Sequence, residues 1–289
     1  MSAEKVSRTK SVAALNLAVM LFGLSAVIGR FVQMPAAVIA GGRVICSAVV
    51  LLLLALASRT SLRLAGKRDL MVAVFAGLVL ALHWTSFFQA VQTASVAVGT
   101  ITFSAFPLFL TVLEPLVFRE RMRASGGVEA LLLLAGVVIT VPPTGLDRQI
   151  MAGAAWGMLS GLAYAVLSLT NRYLSGRYPA RVVCLYEQGT AAVALLPAVL
   201  LWRGEWSVVS VCGIGVLGVV CTALAHSLYV AAQRQVSAQT AGIVSGMETV
   251  YGILYALILL GEVPTGREIA GGALILGVSF AASLRAGRR

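Results

Sequence analysis

Ten long apolar segments dominate the sequence and limit the folds that the chain can adopt. A helix needs about 20 apolar residues to cross the ~30 Å hydrocarbon core of a bilayer, and each segment is close to that length. The uninterrupted leucine runs at 51–54 and 131–134 differ from the alternating pattern of membrane β-strands. The sequence therefore predicts an all-α integral membrane protein with ten transmembrane helices. These helices are expected near residues 11–31, 36–57, 70–90, 95–117, 126–143, 151–171, 180–202, 207–232, 238–260 and 266–285.

The composition excludes an ordinary soluble protein. Of the 289 residues, 59% are hydrophobic and 11% are charged, whereas soluble domains are about half apolar and about a quarter charged. A disordered chain is excluded too, because such chains are poor in apolar residues. The net charge of +11 would suggest nucleic-acid binding in a soluble protein. In a membrane protein, the positions of the basic residues decide what this charge means.

The basic residues are distributed asymmetrically about the ten segments. With the N-terminus placed in the cytoplasm, most of the 22 Lys and Arg residues fall in cytoplasmic loops or near the termini. Because cytoplasmic loops are enriched in Lys and Arg, the chain is predicted to be a multi-pass protein of the inner (plasma) membrane with both termini cytoplasmic. The basic charge then serves topology and contact with anionic lipid, and nucleic acid is not an expected partner. The basic residues outside this set are Arg30, Arg148, Arg203 and Arg267 on the opposite side, and Arg43 within the second segment.

The sequence contains no recognisable metal, cofactor or catalytic motif. Cys46, Cys184, Cys212 and Cys221 lie in apolar segments without a CxxC or Cys/His ligand spacing, so we expect buried free thiols rather than disulfides or metal ligands. The stretch 213–218 fits GxGxxG but lacks the strand–turn–helix context of a dinucleotide site. Ser/His/Asp, HExxH and P-loop arrangements do not occur. The sequence predicts no cofactor, no metal and no enzymatic activity.

The two halves of the chain resemble each other at an offset of 142 residues. We therefore predict an N-terminal repeat at 1–145 and a C-terminal repeat at 146–289. Each repeat holds five helices, and this odd number means that the second repeat enters the membrane from the opposite face. Inverted repeats are the architecture of alternating-access transporters, whose substrate lies near mid-membrane between the halves. The matched pairs are Arg30 with Arg172, Phe31 with Tyr173, Ser95 with Ser237, Ile101 with Ile243, and Glu120 with Glu262.

Short motifs recur in the two halves of the chain. The first half carries Phe88-Gln89-Ala90, Ser95-Val96-Ala97, Phe106-Pro107-Leu108 and Phe118-Arg119-Glu120, and the second half carries Tyr229-Val230-Ala231, Ser237-Ala238 and Leu260-Gly261-Glu262. These motifs resemble the EamA branch of the drug/metabolite transporter superfamily. In the family pattern an aromatic–Ala segment leads to a small-residue helix, a mid-helix proline and a Glu that closes the span. Thr249 stands where the second half would have its proline, so that helix is expected to bend less.

The resemblance covers nearly the whole chain and implies both a fold and an activity. It implies ten helices in two inverted repeats around a central cavity lined mainly by the first, third, fourth, sixth, eighth and ninth helices. It also implies efflux of amino acids or related metabolites. Length, helix number and aromatic residues in the central helices make the chain most similar to aromatic amino acid exporters of the YddG type. A multidrug or metabolite exporter of the same superfamily with another substrate is the alternative.

Glu248 is the main candidate for a substrate-binding residue. It lies about ten residues into the ninth segment, or ~15 Å along a helix, which is the middle of the membrane. Ser245 and Tyr251 share its helical face. A carboxylate with aromatic neighbours could hold an amino group and a ring, or it could carry a coupling proton. The alternative is a structural hydrogen bond to another helix, although ionisable residues at this depth are usually functional.

Arg43 is the second charged residue expected inside the membrane, about eight residues into its segment. Its guanidinium could neutralise the carboxylate of a substrate or pair with Glu248. Its long stem could instead carry the charge to the outer interface. The sequence leaves these interpretations open.

Histidines and aromatic residues supply further candidates for substrate contact. For each histidine, an interhelical hydrogen bond is the competing interpretation. For the aromatic residues, packing between helices is the alternative to lining a cavity. The candidates are His83, Trp84 and Phe87 in the third segment, His226 in the eighth, and Phe22 and Tyr164 at equivalent positions of the first and sixth.

Two features predict local helix geometry. Pro107 interrupts the fourth segment, where its missing N–H is expected to kink the helix and provide a hinge. Gly153, Gly157 and Gly161 are spaced four residues apart, which is typical of helices that approach each other closely in membranes.

The function predicted from these features is a secondary exporter that works by alternating access. A membrane enzyme acting on lipid-linked substrates would need a polar catalytic cluster at one interface, whereas the polar residues here are spread through mid-depth. A scaffold or receptor would not need an inverted repeat with a buried Glu. The expected partners are a small-molecule substrate (amino acids or similar metabolites), the lipid bilayer and, as an open alternative, a second copy in a homodimer.

Overall fold

The computed structural model describes residues 2–118, 124–140, 148–233 and 238–286, and every regular element in these ranges is a helix. A π-helical segment, Val219–Leu224, joins α9 to α10 without interruption. The α-helices in chain order are α1 (Ser2–Phe31), α2 (Ala36–Ala57), α3 (Lys67–Thr93), α4 (Val96–Phe103), α5 (Phe106–Phe118), α6 (Ala124–Thr140), α7 (Arg148–Ser175), α8 (Ala180–Leu201), α9 (Val208–Gly218), α10 (Ala225–Gln233), α11 (Ala238–Leu260) and α12 (Gly266–Ala286).

The helices have the length and surface of membrane-spanning segments. Within the described ranges, seven are long and apolar enough to cross a membrane, and two shorter apolar helices lie at Gly127–Thr140 and Val244–Leu260. Large apolar side chains such as Leu53, Leu200 and Ile258 are 60%, 71% and 74% exposed, which suits contact with lipid rather than water. The predicted all-helical membrane fold is confirmed.

Three predicted segments have nearly the bounds of the helices observed. α2 covers 36–57 as predicted, α8 ends one residue before the predicted 202, and α11 covers 238–260. The fourth predicted segment is divided into α4 and α5 by a break at Ser104 and Ala105. Pro107 follows this break as the second residue of α5. Because proline has no N–H to donate, the helical ladder is interrupted where the sequence predicted a kink.

The π-helical segment was not predicted from the sequence. Within it, the Thr222 hydroxyl donates a hydrogen bond of 2.7 Å to the carbonyl oxygen of Leu217, five residues earlier. Such wide turns are rare and occur frequently at functional sites. Here the wider turn places Cys221 and Thr222 against α2.

Close approach of helices depends on the small residues of α7. A side chain added at Gly161 would come within 3.0 Å of the Phe103 carbonyl oxygen, and one at Gly153 within 3.2 Å of the Ala90 carbonyl oxygen. α7 therefore packs directly on the backbones of α3 and α4, as the glycine spacing predicted. The main helix pairs are α3 with α7 and α8, α2 with α8, α1 with α10 and α11, α4 with α7 and α11, and α6 with α12.

Candidate functional site

Glu248 lies half-buried on α11 where helices of both halves of the chain meet. Arg43 of α2 and Tyr164 of α7 are within Coulombic range of its carboxylate. The Glu248 carboxylate forms no hydrogen bond or ion pair within 4.0 Å with the residues that the structure describes. The predicted pairing with Arg43 is therefore not a direct salt bridge. A partly exposed carboxylate without a hydrogen-bond partner among the described residues is able to receive a ligand or a proton.

Tyr229 of α10 connects the aromatic and polar residues around this carboxylate. Its hydroxyl lies 2.9 Å from the Ser245 hydroxyl, one turn before Glu248 on α11. Its ring centroid is 5.7 Å from that of Phe22 on α1. Sequence reasoning did not select Tyr229 as a site residue, although it belongs to the aromatic–Ala motif of the second half. That motif was the one signal that could have identified it.

The aromatic candidates from α3 form one continuous cluster with α7. The His83 ring lies 5.2 Å from Tyr164 and 4.7 Å from Trp84, and Phe106 lies 5.0 Å from Tyr164. Trp84 is 5% exposed and Phe87 is 1% exposed, so both are packed between helices. The structure therefore joins Tyr164 to the aromatic residues of α3 and packs Trp84 and Phe87 between helices.

His83 forms the interhelical hydrogen bond that was the alternative to substrate contact. Its Nδ1 lies 2.9 Å from the hydroxyl and 3.1 Å from the carbonyl oxygen of Ser160 on α7. The Ser160 hydroxyl also donates to the His83 carbonyl oxygen at 3.2 Å. This reciprocal contact fixes α3 to α7 beside the aromatic cluster.

Arg43 is completely buried, so the expectation that it could extend to the outer interface is wrong. Its guanidinium carbon lies 3.4 Å from the centroid of the Trp84 ring, a cation–π geometry. Nε donates to the Thr222 hydroxyl at 2.8 Å, and Nη2 donates to the Cys221 carbonyl oxygen at 3.2 Å. The π-helical segment thus supplies the acceptors that hold this buried charge in place, and Nη1 has no hydrogen-bond partner in the described structure.

Of the remaining candidates, Phe22 and His226 join the group around Tyr229, and Tyr251 packs against α1. The Phe22 and His226 rings are 6.0 Å apart. Tyr251 packs against a buried apolar cluster that includes Phe22. α1, α7, α10 and α11 therefore surround the same region.

A second polar cluster lies in the interior between α8 and α10. Cys184, Glu187 and His226 place their potential ligand atoms within 4.8 Å of one another, and all three side chains are buried. The sequence identified His226 as a candidate and Cys184 as a buried thiol, but it gave no reason to bring the two together with Glu187. Among the described residues, these three side chains form a group whose donor atoms could hold a metal ion.

Polar residues close one end of the bundle. Arg30 at the end of α1 lies 3.4 Å from the Glu262 carboxylate and donates to the Gln92 carbonyl oxygen at 2.9 Å. Glu262 also accepts a hydrogen bond of 3.0 Å from the Val96 N–H at the start of α4. The ends of α1, α3 and α11 and the start of α4 are held together there. Glu120, the predicted counterpart of Glu262, lies outside the described residues.

A different set of contacts closes the opposite end. Arg172, which matches Arg30 in the repeat, forms an ion pair with Glu114. The Asp69 carboxylate accepts hydrogen bonds from Tyr173 at 2.8 Å and from Tyr178. The hydrogen bond to Asp69 raises the pKa of the Tyr178 hydroxyl, which lies in the loop between α7 and α8.

Comparison with known proteins agrees with this architecture. A solved crystal structure superposes with a TM-score of 0.67 at 21% identity and covers 97% of this chain and 98% of that chain, so the two share a fold. An uncharacterized transporter of Archaeoglobus fulgidus is 28% identical over 207 residues, which cover 71% of this chain and 72% of the relative. The uncharacterized transporter YwfM of Bacillus subtilis is 26% identical over 206 residues, covering 70% and 69%.

The family assignment follows from the match of a family model to both halves. The model of the EamA-like transporter family matches residues 9–141 and again residues 151–284. Together the two matches cover most of the chain. The chain therefore belongs to the EamA-like transporter family of the drug/metabolite transporter superfamily, and it is a membrane transporter rather than an enzyme.

Proposed function

We propose that the chain is a secondary transporter that exports amino acids, aromatic or hydrophobic, and related small metabolites by alternating access. The observation that carries this proposal is the Glu248 carboxylate. It is half-buried within an apolar helix, it has no hydrogen-bond partner among the described residues, and Tyr164 lies within Coulombic range of it. An ionisable group placed so in a membrane protein is expected to serve the transported solute or a coupling ion.

The chemistry around Glu248 favours a substrate with an amino group and an apolar or aromatic side chain. The carboxylate would bind the ammonium group by charge. Hydroxyls of Tyr229 and Ser245, which lie 2.9 Å apart, offer donors and acceptors to the polar part of the solute. The rings of Phe22 and Tyr164 would contact its apolar part, since aromatic rings gain from stacking and from contact with cations.

The pattern of helix packing supports two inverted repeats, 1–145 and 146–289, with five helices each. We count α4–α5 as one broken span and α9–α10 as another. When both helices of a main contact pair are replaced by the helices five spans away, the result is again a pair of helices in contact. The contact of α3 with α7 corresponds to that of α10 with α1, and the contact of α1 with α11 corresponds to that of α7 with α4. The α2–α8 and α6–α12 pairs correspond to themselves. A two-fold axis in the membrane plane produces this pattern, and the separate family-model matches to each half agree with it.

Alternating access would follow from rocking of one half against the other about this axis. The end held by Arg30 and Glu262 and the end held by Arg172 and Glu114 would open in turn. With both termini in the cytoplasm of the inner (plasma) membrane, the Arg30 end faces outward. The break before Pro107 gives α5 a place to bend relative to α4.

Counterflow in liposomes tests the proposal. Purified protein is reconstituted into vesicles loaded with one unlabelled solute, and uptake of the same radiolabelled solute is measured. The panel contains aromatic, aliphatic, acidic and basic amino acids and lipophilic cations, each with and without a pH gradient. The expected result is saturable counterflow of aromatic or aliphatic amino acids, with weaker uptake of acidic ones because Glu248 repels a second carboxylate.

Two outcomes would change the assignment. Counterflow of lipophilic cations without any amino acid would identify a multidrug exporter and contradict the proposed substrate. Absence of counterflow for all solutes, in vesicles where a control transporter is active, would contradict both the substrate class and the exchange of solute that alternating access permits.

A further inference from the structure

The cluster of Cys184, Glu187 and His226 has the composition and spacing of a metal site. Cys184 and Glu187 are one turn apart on α8 and therefore face the same side of that helix. His226 comes from α10, so the donor set joins two helices. The thiol sulfur, a carboxylate oxygen and an imidazole nitrogen lie within 4.8 Å of one another. Ligands around a tetrahedral zinc ion are separated by about 3.4–3.7 Å, which small side-chain rotations would reach.

The cluster also contains buried polar atoms that have no hydrogen-bond partner among the described residues. Both carboxylate oxygens of Glu187 and Nδ1 of His226 form no hydrogen bond in the described structure, and Glu187 is completely buried. Gln188, the next residue on α8, is likewise buried with both amide atoms unpaired. Buried polar groups are normally satisfied because leaving them unpaired is costly. The unpaired donor atoms of Glu187 and His226 therefore support binding of a ligand at this cluster.

The charge of the cluster identifies the chemical class of that ligand. A metal ion binds the thiol and the carboxyl group in their deprotonated forms, and the two negative charges formed in this buried position are neutralised by a divalent cation. Sulfur and imidazole donors favour zinc-type ions over calcium or magnesium, which prefer oxygen ligands. An organic ammonium ion would use the carboxylate but would gain little from the thiol and the unprotonated imidazole nitrogen.

We propose that Cys184, Glu187 and His226 bind one Zn²⁺ ion, with a fourth position open to water or to Gln188. The ion links α8 to α10 within the C-terminal half of the chain. It therefore stiffens that half without tying it to α1–α6, and it adjoins the substrate region through the contact of His226 with Phe22. The site does not rest on the substrate proposed above, because metal binding is measured without any solute.

Cobalt titration of the purified, tag-free protein tests the site. Co²⁺ bound to a thiolate gives a charge-transfer band in the near ultraviolet, and Zn²⁺ displaces it. We expect a saturable band at one ion per chain, loss of the band in Cys184→Ser, and at least ~10-fold weaker binding in Glu187→Gln. Cys212→Ser, which changes the exposed cysteine on α9, is the matched control and should keep the band. A band that is absent from the native protein, or unchanged in Cys184→Ser, overturns the proposal.

X-ray absorption of the zinc-loaded native protein covers the case in which a buried variant fails to fold. The expected zinc shell contains one sulfur at about 2.3 Å and nitrogen or oxygen ligands at about 2.0–2.1 Å. A shell with nitrogen and oxygen only would exclude Cys184 as a ligand and overturn the site. Zinc should also raise the Tm of the native protein and of Cys212→Ser, because an ion that binds only the folded state stabilises it.

Discussion

The hydroxyl of Ser104, in the break between α4 and α5, is hydrogen-bonded to the hydroxyl of Thr249 on α11. Thr249 also lies 3.4 Å from the Thr100 carbonyl oxygen of α4. The residue that replaces the expected second proline thus fastens α11 to the broken helix of the other half. Because Glu248 precedes Thr249 directly, this contact fixes the position of the proposed substrate-binding carboxylate.

Thr249→Val should loosen this attachment without changing side-chain shape. We expect a loss of about 1–2 kcal/mol in the free energy of unfolding, because the buried contacts of the Thr249 hydroxyl with Ser104 and with Thr100 are both lost. Thermal unfolding in detergent measures the effect. Thr85→Val is the matched control, since the buried Thr85 hydroxyl has no hydrogen-bond partner in the part of the chain that the structure describes, and its removal should be neutral or stabilising. Equal destabilisation by both changes would show that the Ser104–Thr249 contact contributes no more to the free energy of unfolding than an unpaired buried hydroxyl does.

Arg30→Gln should make the Arg30 end of the bundle easier to open. Arg30 and Glu262 are partly exposed, with side chains 35% and 25% accessible, so their ion pair contributes no more than about 1 kcal/mol. The expected result is up to ~5-fold faster maleimide labelling of a cysteine introduced at Ser95. Arg267→Gln, an exposed arginine at the start of α12, should leave the labelling rate unchanged. Slower labelling in Arg30→Gln would contradict a closing role for this ion pair.

Ser160→Ala separates the structural role of His83 from a role in substrate binding. The change removes the hydroxyl that lies 2.9 Å from His83 Nδ1, and we expect a destabilisation of about 1 kcal/mol. The order of preference among transported solutes should stay as in the native protein. Ser168→Ala, which removes only a bond to the Tyr164 carbonyl oxygen within α7, is the control and should cost less. A changed solute preference with unchanged stability would assign His83 to substrate contact.

The contact of Tyr178 with Asp69 should contribute to stability in a pH-dependent way. The pKa of Tyr178 is raised, so the protonated hydroxyl is favoured in the folded protein. This contribution is fully present below the ordinary tyrosine pKa of about 10 and is lost as the pH rises through the raised value. Tyr178→Phe should therefore destabilise the protein at pH 7–9, and the difference from the native protein should shrink above pH ~10.

A second tyrosine provides the comparison for this prediction. The Tyr186 hydroxyl donates to the Leu62 carbonyl oxygen at 3.0 Å rather than to a carboxylate. Tyr186→Phe is therefore the control for loss of a tyrosine hydrogen bond to a neutral acceptor. A stability difference for Tyr178→Phe that stays constant from pH 7 to above pH ~10 would contradict a role of Asp69 in holding the Tyr178 proton.

Local patterns in the sequence predicted the helices, because the thickness of the lipid bilayer sets the length of the apolar run that crosses it. The bounds of α2 and α11 follow from such runs, and the break in the fourth segment follows from Pro107. The π-helical segment could not be predicted in this way, since it differs from an α-helix by one residue per turn and contains neither glycine nor proline.

The candidate site was predicted only in part, because its contacts join residues far apart in the chain. Glu248 was identified from its depth alone, and Tyr164 and Phe22 from their equivalent positions. The hydrogen bonds of Arg43 to the π-helical segment depend on how α2 packs against a helix about 180 residues later. The approach of Cys184 to His226 depends likewise on the packing of α8 and α10. The spacing of residues along a single sequence contains no signal for either of these two contacts.

Counterflow by Glu248→Gln is the most direct test of the central claim that this carboxylate serves the transported solute. The change keeps the size of the side chain and removes its charge. We expect counterflow of the best amino acid substrate to fall at least ~10-fold, which corresponds to about 1.4 kcal/mol or more, or to lose its pH dependence. Glu205→Gln, the same change in the exposed loop between α8 and α9, should transport as the native protein does. Unchanged rate and unchanged pH dependence in folded Glu248→Gln would contradict the account.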